Sequence, residues 1–410
     1  MISPAVAGDS PHPLLGSTLS HFMGEGMAAI SNTIKAMPDA YIQFMRLALR
    51  LARRGYGTTS PNPMVGAVLV KGKRIIGRGW HHRAGLPHGE IEALHDAQRH
   101  GHDPRGATLY VTLEPCCTHG RTPPCTEAIQ AAGVKRVIVG ATDPNPKHSG
   151  RAFKILRSAH KQVVTGVLAD ECAALNEGFN HWMVHRTPFV TVKAAMTLDG
   201  KIATVSGESK WITGEKARAY GMHLRQGADA ILVGINTILA DDPSLTFRSC
   251  KKSHGHVLRR IVLDSMARTP LAAKVVSDEH AALTTIVVSP GAPKKRAAAL
   301  AKRVTVLVSP KTKDSQIDLR WLLKKLGQEN VMSLLVEGGG EVNASFLLGH
   351  HAHRVVFFYA PKIFGGRDAR KAVAGDGVLK LDDAVKLIDV KWSSVGTDLL
   401  LTARVALAKK

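Results

Sequence analysis

LPHGEIEAL (residues 86–94) sets His88 and Glu90 two positions apart, behind Pro87, where an apolar-periodic run begins. TLEPCCTHGRTPPC (112–125) follows it and brings Cys116, Cys117 and Cys125. The reading of the first half turns on whether these stretches meet in space. An imidazole and two thiolates, His88, Cys116 and Cys125, suit zinc. Three protein ligands leave a fourth position open, whereas a closed structural site takes four. Residues two apart on a helix diverge by about 200°. His88 and Glu90 therefore line one pocket only if the ligand sits at the very end of the helix. On that reading His88 holds the metal and Glu90 moves protons beside it. Cys125 opens a helix behind Pro123 and Pro124, whose N-terminal dipole favours a thiolate. Cys116 lies just past a strand end, where ligand sites of open α/β sheets form. Taken singly, these residues read as buried thiols and a turn histidine; taken together with Glu90, they read as a metal centre. Cys117 is expected to be no ligand.

Outward from these stretches, the pattern is a β-hairpin followed by alternating helix and strand. DAYIQFMRLALRLAR (39–53) has helical apolar spacing, PNPMVGAVLV (61–70) and KRIIGRGW (73–80) form the hairpin, and EIEALHDAQRH (90–100) is a helix. ATLYVTLEP (107–115) reads as a strand, CTEAIQAAG (125–133) as a helix, and VKRVIVGATDPNP (134–146) as a strand entering a loop. RAFKILRSAH (151–160) and KQVVTGVL (161–168) add a helix and a strand. This implies an α/β sandwich of roughly 140 residues, an ordinary domain size.

A second α/β unit opens near Thr187-Pro188. Strands are expected at FVTVKAAMTLDG (189–200), DAILVGINTIL (229–239), RRIVLDS (259–265), TTIVVSP (284–290), RVTVLVSP (303–310), VMSLLVEGGG (331–340), HRVVFFYAPKIFGG (353–366) and DLLLTARVALA (398–408). Helices are expected at 215–228, 318–328 and 341–349, giving a mainly parallel sheet. The expected division is residues 1–37 as an extension, 38–182, and 183–410.

The chain has 410 residues, 44% hydrophobic and 21% charged. Those are globular values, and the length suits two domains. No apolar run approaches the ~18–20 residues of a membrane span. The net charge of +22 attracts polyanions, whether nucleic acid or phosphorylated small molecules. Five cysteines at uneven spacing disfavour a disulfide framework and point to a reduced, cytoplasmic setting. Residues 1–36 hold one lysine and no arginine, which disfavours a targeting peptide. They read as a disordered extension or an upstream start, with Met27 or Met37 as alternative beginnings.

Zinc deaminases carry H-x-E…P-C-x-x-C with a glutamate that is not a ligand. His88-Gly89-Glu90 and Pro115-Cys116 fit, but Cys125 lies nine residues on. That longer loop resembles the deaminase half of the bifunctional riboflavin-biosynthesis deaminase/reductase family, as do Pro61-Asn62-Pro63, Val65-Gly66, Gly120–Cys125 and Asp143–Pro146. Gly89 stands where the family usually has Ala. Cys117-Thr118 and the 150–152 segment also depart from its pattern, which bears on substrate contacts but not on zinc. The resemblance implies that Asn62 and His81 touch substrate; each reads equally as a plain turn or polar residue. Arg121 reads as a phosphate contact or a solvated loop charge.

KAAMTLDGKIAT (193–204), GESKWIT (207–213), LADDPSLTFR (239–248), VLDS (262–265) and VEGGG (336–340) are similar to the reductase half of the same family. The resemblance spans about residues 38–405. It implies a cytidine-deaminase-like α/β/α sandwich followed by a dihydrofolate-reductase-like α/β domain that uses NADPH. Carried over residue by residue, it implies that Arg225 and Arg248 grip the substrate phosphate, since guanidinium suits phosphate bidentately. It implies further that Ser209 and Glu337 hydrogen-bond the substrate, with Leu245 packing or offering backbone. Ala195, Trp211, Thr237, Asp241, Ser265 and the loop Gly339, Gly340, Glu341, Val342, Asn343, Ala344, Ser345 would line NADPH. Trp211 reads equally as core, and Asp241 as a cap before Pro243. Lys193 reads either as a strand-edge lysine or as a group polarising the reacting sugar.

The implied activity is hydrolytic deamination of a phosphorylated diamino-ribosylamino-pyrimidinone at one zinc per deaminase domain, followed by NADPH-dependent reduction of its ribosyl group to ribityl. A homo-oligomer is expected, with no nucleic acid or membrane partner. The alternative is a single-activity nucleic-acid base deaminase with a non-catalytic C-terminal domain. Against it stand 5% aromatics, few for base stacking, and the absence of an RNA-binding motif.

Overall fold

The computed structural model describes residues 38–119, 123–146, 148–247, 257–312 and 316–406. The first unit runs α1 (Asp39–Ala52), β1 (Gly66–Lys71), β2 (Arg74–Trp80), α2 (Gly89–Arg99), β3 (Thr108–Leu113), α3 (Cys125–Ala131), β4 (Arg136–Ala141), α4 (Arg151–Ser158) and β5 (Gln162–Val164). Its five strands lie in the order β2-β1-β3-β4-β5. β1 is antiparallel to both neighbours, and β3, β4 and β5 are parallel. α1 buries Met45, Ala48, Leu49 and Ala52, the i, i+3, i+4, i+7 stripe that its sequence shows. β2 lies hard against α2: a Cβ on Gly79 would sit 2.3 Å from the Ala93 nitrogen and the Gly89 oxygen. That contact pins the N-terminal end of α2, where His88 and Glu90 lie. The strand expected over 161–168 shrinks to three residues, because Gly166 and Leu168 take left-handed conformations that no strand tolerates.

Two helices that the sequence reading did not find, α5 (Ala169–Leu175) and α6 (Glu177–His185), lead to the second unit. It comprises β6 (Phe189–Thr197), β7 (Lys201–Ala203), α7 (Glu215–Gln226), β8 (Ala230–Gly234), α8 (Ile235–Asp241), β9 (Arg259–Leu263), α9 (Lys274–Ser277), β10 (Thr284–Val288), α10 (Lys294–Ala301) and β11 (Thr305–Val308). It continues with α11 (Leu319–Gln328), β12 (Ser333–Val336), α12 (Gly340–Leu348), β13 (Arg354–Ala360), β14 (Arg370–Lys371), β15 (Leu387–Val395) and β16 (Asp398–Val405). The large sheet has the order β11-β10-β9-β8-β12-β6-β13-β16-β15. It is parallel from β11 through β13 and antiparallel only across β13, β16 and β15. The expected mainly parallel sheet is therefore present.

The strand expected over 353–366 stops at Ala360, where Pro361 withdraws a ladder donor. The apolar run 229–239 leaves the sheet at Gly234 and turns helical at Ile235. β6 lies between β12 and β13, so Lys193 is on a central strand, not at an edge.

Among the described residues, the two units meet around Tyr56 and along α6. The Tyr56 ring stacks on His223 at 4.5 Å, and its hydroxyl donates to the His223 carbonyl at 3.2 Å. α6 packs Phe179 and Trp182 on Met332. Trp182 Nε1 donates to the Gly327 carbonyl at 2.8 Å, and Glu177 accepts from both Arg354 and Arg404.

Candidate metal centre and reductase-like site

His88 is the N-cap of α2, with extended backbone (φ −74°, ψ 165°), and Glu90 lies in the first turn. The divergence expected of two helical positions does not apply, because His88 stands outside the helix. Cys125 is the first residue of α3, after the N-cap Pro124. Cys116 follows β3 by three residues. His88 Nδ1 lies 3.5 Å from Cys116 Sγ and 3.3 Å from Cys125 Sγ. All three ligand atoms fall within 4.8 Å of one another.

Tetrahedral zinc, with bonds of about 2.3 Å to sulfur and 2.0–2.1 Å to nitrogen, holds such N and S atoms roughly 3.6 Å apart. The donor set and its spacing therefore fit zinc. The Cys125 backbone N–H donates to Cys116 Sγ at 3.2 Å. Cys116 is drawn down to about 4, first by its hydrogen bond with Cys125 and further by His88. Cys125 stays well above the usual thiol range because Cys116 is its hydrogen-bond partner.

Glu90 is 2% exposed. Burial pushes its carboxyl up to about 7, against the pull of His88. Its Oε2 is buried without a hydrogen-bond partner among the described residues. A carboxyl poised near neutrality beside the ligand trio can both take and give a proton. Cys117 turns away, its Sγ 4.0 Å from His148 Nδ1, and stands outside the ligand set.

Gly89 suits its place: a Cβ there would come within 2.8 Å of the Val65 oxygen. His81 is buried and lies edge-on to His88 at 5.1 Å. Its Nδ1 is 3.0 Å from the Pro87 oxygen and its Nε2 is 3.1 Å from Asn62 Nδ2. Both ring nitrogens are thus spent inside the chain, so His81 braces the segment before His88 while Asn62 stands beside it. Arg121 lies outside the described residues.

In the second unit, Arg225 and Glu337 meet, and Lys193 joins them. Arg225 Nε and Nη2 donate to the two Glu337 oxygens at 3.0 and 2.9 Å, and Nη1 donates to the Thr246 carbonyl at 2.8 Å. Lys193 Nζ is 3.7 Å from Glu337 Oε2. Burial alone would raise the Glu337 carboxyl, but Lys193 and Arg225 outweigh it and hold it at about 2. Sequence reasoning left Lys193 undecided; a lysine inside an otherwise apolar strand was the available signal.

Leu245 is buried with φ +49°, which leaves its backbone rather than its side chain to meet a ligand. Ser209 is half-buried. Arg248 lies outside the described residues.

At the end of β12, Gly339 caps α12 with extended backbone, and no atom lies within 4 Å of where its Cβ would be. An open glycine cradle at a helix N-terminus beside a parallel strand end fits a dinucleotide phosphate. Within this loop Glu341 and Ser345 are exposed, Gly340 and Val342 half-buried, and Asn343 and Ala344 buried. Asn343 Nδ2 donates to the Ala372 carbonyl at 2.8 Å, and its Oδ1 is buried without a partner among the described residues.

Trp211 is 65% exposed, with the Arg218 guanidinium 4.8 Å over its ring, so it lies at the surface and not in the core. Asp241 ends α8 and pairs with Lys210 at 3.6 Å. The turn-capping bond expected of it comes from Asp242, whose carboxylate accepts the Lys274 N–H. Ala195 and Thr237 are half-buried on β6 and α8, and Ser265, also half-buried, follows β9.

The family model described as "Cytidine and deoxycytidylate deaminase zinc-binding region" matches residues 38–141, and "RibD C-terminal domain" matches residues 188–401. The riboflavin biosynthesis protein RibD of Actinobacillus pleuropneumoniae is 43% identical over 371 residues, covering 90% of this chain and 96% of the relative. The chain belongs to the RibD family. The RibD of Escherichia coli strain K12 is 38% identical over 89% of this chain and 99% of its own length. The Acinetobacter baumannii RibD structure (form 1) superposes with a TM-score of 0.78 at 36% identity, covering 90% of this chain and 99% of that one. A Thermotoga maritima structure described as a diaminohydroxyphosphoribosylaminopyrimidine deaminase/5-amino-6-(5-phosphoribosylamino)uracil reductase superposes at 0.75, with 36% identity and the same coverage. Membership confirms the fold class: a cytidine-deaminase-like domain followed by a dihydrofolate-reductase-like one. The RibD C-terminal match, over a unit with its own charged trio, disfavours the single-activity alternative.

Proposed function

We propose that this chain deaminates 2,5-diamino-6-ribosylamino-4(3H)-pyrimidinone 5′-phosphate in its first unit and reduces the ribosyl group of the product to ribityl in its second. The observation that carries the reading is the convergence of His88, Cys116 and Cys125 on one point with buried Glu90 beside them. His88, Cys116 and Cys125 would hold a zinc ion, which would supply an acidified water as nucleophile at neutral pH. Glu90 takes the water's proton and passes it to the departing ammonia. The Cys125 N–H and the start of α3 favour the thiolate at Cys116. In the second unit, residues 339–345 and their neighbours would hold NADPH, which would supply the hydride for the sugar.

There, Arg225 spends three of its N–H donors on Glu337 and Thr246, which fixes its fork and leaves the rest for the substrate phosphate with Arg248. Glu337, kept charged, and Ser209 hold substrate hydroxyls, and Lys193 lies beside them to polarise the sugar. Ala195, Trp211, Thr237, Asp241, Ser265 and residues 339–345 form the NADPH side. Asn62 meets the pyrimidine substrate in the first unit, with His81 behind it. The division falls at 182/183, inside α6.

A homo-oligomer is also part of this reading. Among the described residues, seven of the 18 exposed large hydrophobic ones lie from Val378 to Leu399, with Leu379 99% exposed, an apolar concentration that a monomer rarely leaves in water. Light scattering on the purified chain tests it. Among the described residues no helix is long and apolar enough to cross a membrane, and a reducing cytoplasm suits free metal-binding thiols.

The enzymatic test follows ammonia and nicotinamide absorbance in zinc-loaded protein with and without NADPH. Ammonia without NADPH, and NADPH oxidation only after ammonia appears, is the expected result. Ammonia with no NADPH oxidation would remove the reductase reading.

A further inference from the structure

Glu114 is a buried acidic group that the proposed chemistry does not use. It follows β3 directly and is 5% exposed. Its backbone N–H continues the ladder to the Ala141 carbonyl at 2.9 Å, so its carboxylate stands at the carboxyl ends of two parallel strands, β3 and β4. Oε2 accepts the N–H groups of Asp143 and Gly150 at 3.1 and 3.0 Å, and Oε1 accepts that of Ala152 at 3.0 Å. These donors open and close the connection from β4 to α4. Gly150 is the N-cap of α4 and Ala152 lies in its first turn, where N–H groups have no partner within the helix.

One side chain thus ties both ends of the connection to the strand that delivers Cys116 two residues later. The tied connection brings His148 Nδ1 to 4.0 Å from Cys117 Sγ, beside the ligand loop. In open α/β sheets the ligand crevice lies just there, beyond the carboxyl ends of adjacent parallel strands.

We propose that Glu114 is a positioning residue for the deaminase: through Asp143, Gly150 and Ala152 it holds the two ends of the connection from β4 to α4 as a substrate-side wall, in register with the zinc-binding loop. The inference rests on the deaminase reading of this site. Glu114 touches neither the ligand trio nor the reacting atoms, so its loss shows in substrate binding and not in metal retention.

The test compares E114Q and E114D with the wild type in the zinc-loaded full chain. A glutamine keeps the shape but turns an N–H group toward backbone donors, so at least one of the three bonds is lost. E114Q is expected to raise the deaminase KM by roughly 10-fold, the scale of a small misplacement of a binding wall, with kcat within about threefold of wild type. One zinc per chain is retained, and the reductase step, assayed on the deaminated intermediate, is unchanged and reports that the chain is folded. Amide exchange in the peptide covering 143–152 quickens. E114D, which keeps the charge on a shorter arm, restores part of the KM.

Zinc loss, a fall in kcat at constant KM, or a KM within twofold of wild type would each overturn the inference. So would unchanged exchange over 143–152, which is measured without turnover. Absence of ammonia release by the wild type would instead sink the deaminase reading itself.

Discussion

Two buried glutamates in this chain meet opposite electrostatic fates. Glu90 and Glu337 are both withdrawn from water, yet Glu90 is pushed up to about 7 and Glu337 is held at about 2. Burial acts the same way on both, penalising the charged form. The difference lies in the neighbours. Glu337 faces two cations, Lys193 and Arg225, the latter bidentate. Glu90 faces a histidine and two sulfurs, and one of its oxygens has no partner among the described residues. A fixed anion can hold and orient but cannot relay protons; a carboxyl near neutrality can. The same residue type, largely withdrawn from water in both places, is thus suited to proton transfer in one unit and to holding and orienting in the other.

The largest expected effect breaks the first side of that comparison at the metal. His88→Ala or Cys125→Ala should abolish zinc binding, measured by elemental analysis, and lower deaminase activity by more than about a thousandfold. Reductase activity on the deaminated intermediate should persist. Glu90→Gln should keep the zinc but lose roughly 10²–10⁴ in deaminase kcat, the span of a general acid–base group. An activity within tenfold of wild type would remove Glu90 from the relay.

Glu337→Gln leaves Arg225 and Lys193, only 15% and 18% exposed, without their anion. Breaking a buried pair costs about 3–5 kcal/mol, which denaturant unfolding of the second unit would register, and the reductase should fall with it while the deaminase stands. The converse pattern would show that the two glutamates do not divide the work as described.

The smallest effect concerns pH at the junction of the units. Burial, with neighbouring histidines adding to it, lowers His181 to about 3 and His353 to about 4. His353 Nδ1 accepts the Val190 N–H at 2.9 Å, which needs the neutral ring. With folded values below the ordinary 6.5, this contribution to stability is complete above pH 6.5. It is lost as pH falls toward 4, because the unfolded chain takes up protons that the folded one refuses. Between pH 7.5 and 5 the loss should be on the order of 1 kcal/mol after allowing for partial exposure. His353→Gln should flatten the dependence of the urea midpoint on pH.

The two sites were not equally legible in the sequence. The metal centre lies within residues 88–125, and its residue types at that spacing permit few other readings. The strand and helix that deliver Cys116 and Cys125 were also readable, because buried parallel strands and capped helices carry strong local patterns. The second site joins Lys193, Arg225 and Glu337, drawn from β6, α7 and the end of β12. Periodicity shows each element but not that they converge, so Lys193 remained undecided. Glu114 passed unread within TLEPC because its partners are backbone N–H groups 29, 36 and 38 residues away, and backbone donors leave no trace in residue type. β15 was missed for another reason: it is largely exposed on both faces, so it lacks the alternation that marks a half-buried strand.

The sequence by itself specified the α/β class, the His/Cys/Cys set that fits zinc and the glutamate beside it, since these rest on local periodicity and on short-range spacing of chemically specific side chains. The tertiary structure decided the rest. It moved His88 off the helix onto its cap, spent both nitrogens of His81 inside the chain, and set Lys193 on a central strand against Glu337. It also gave two buried carboxyls opposite charge states. Charge state and convergence depend on which groups stand within a few ångströms, and that is set by packing between segments far apart in the chain.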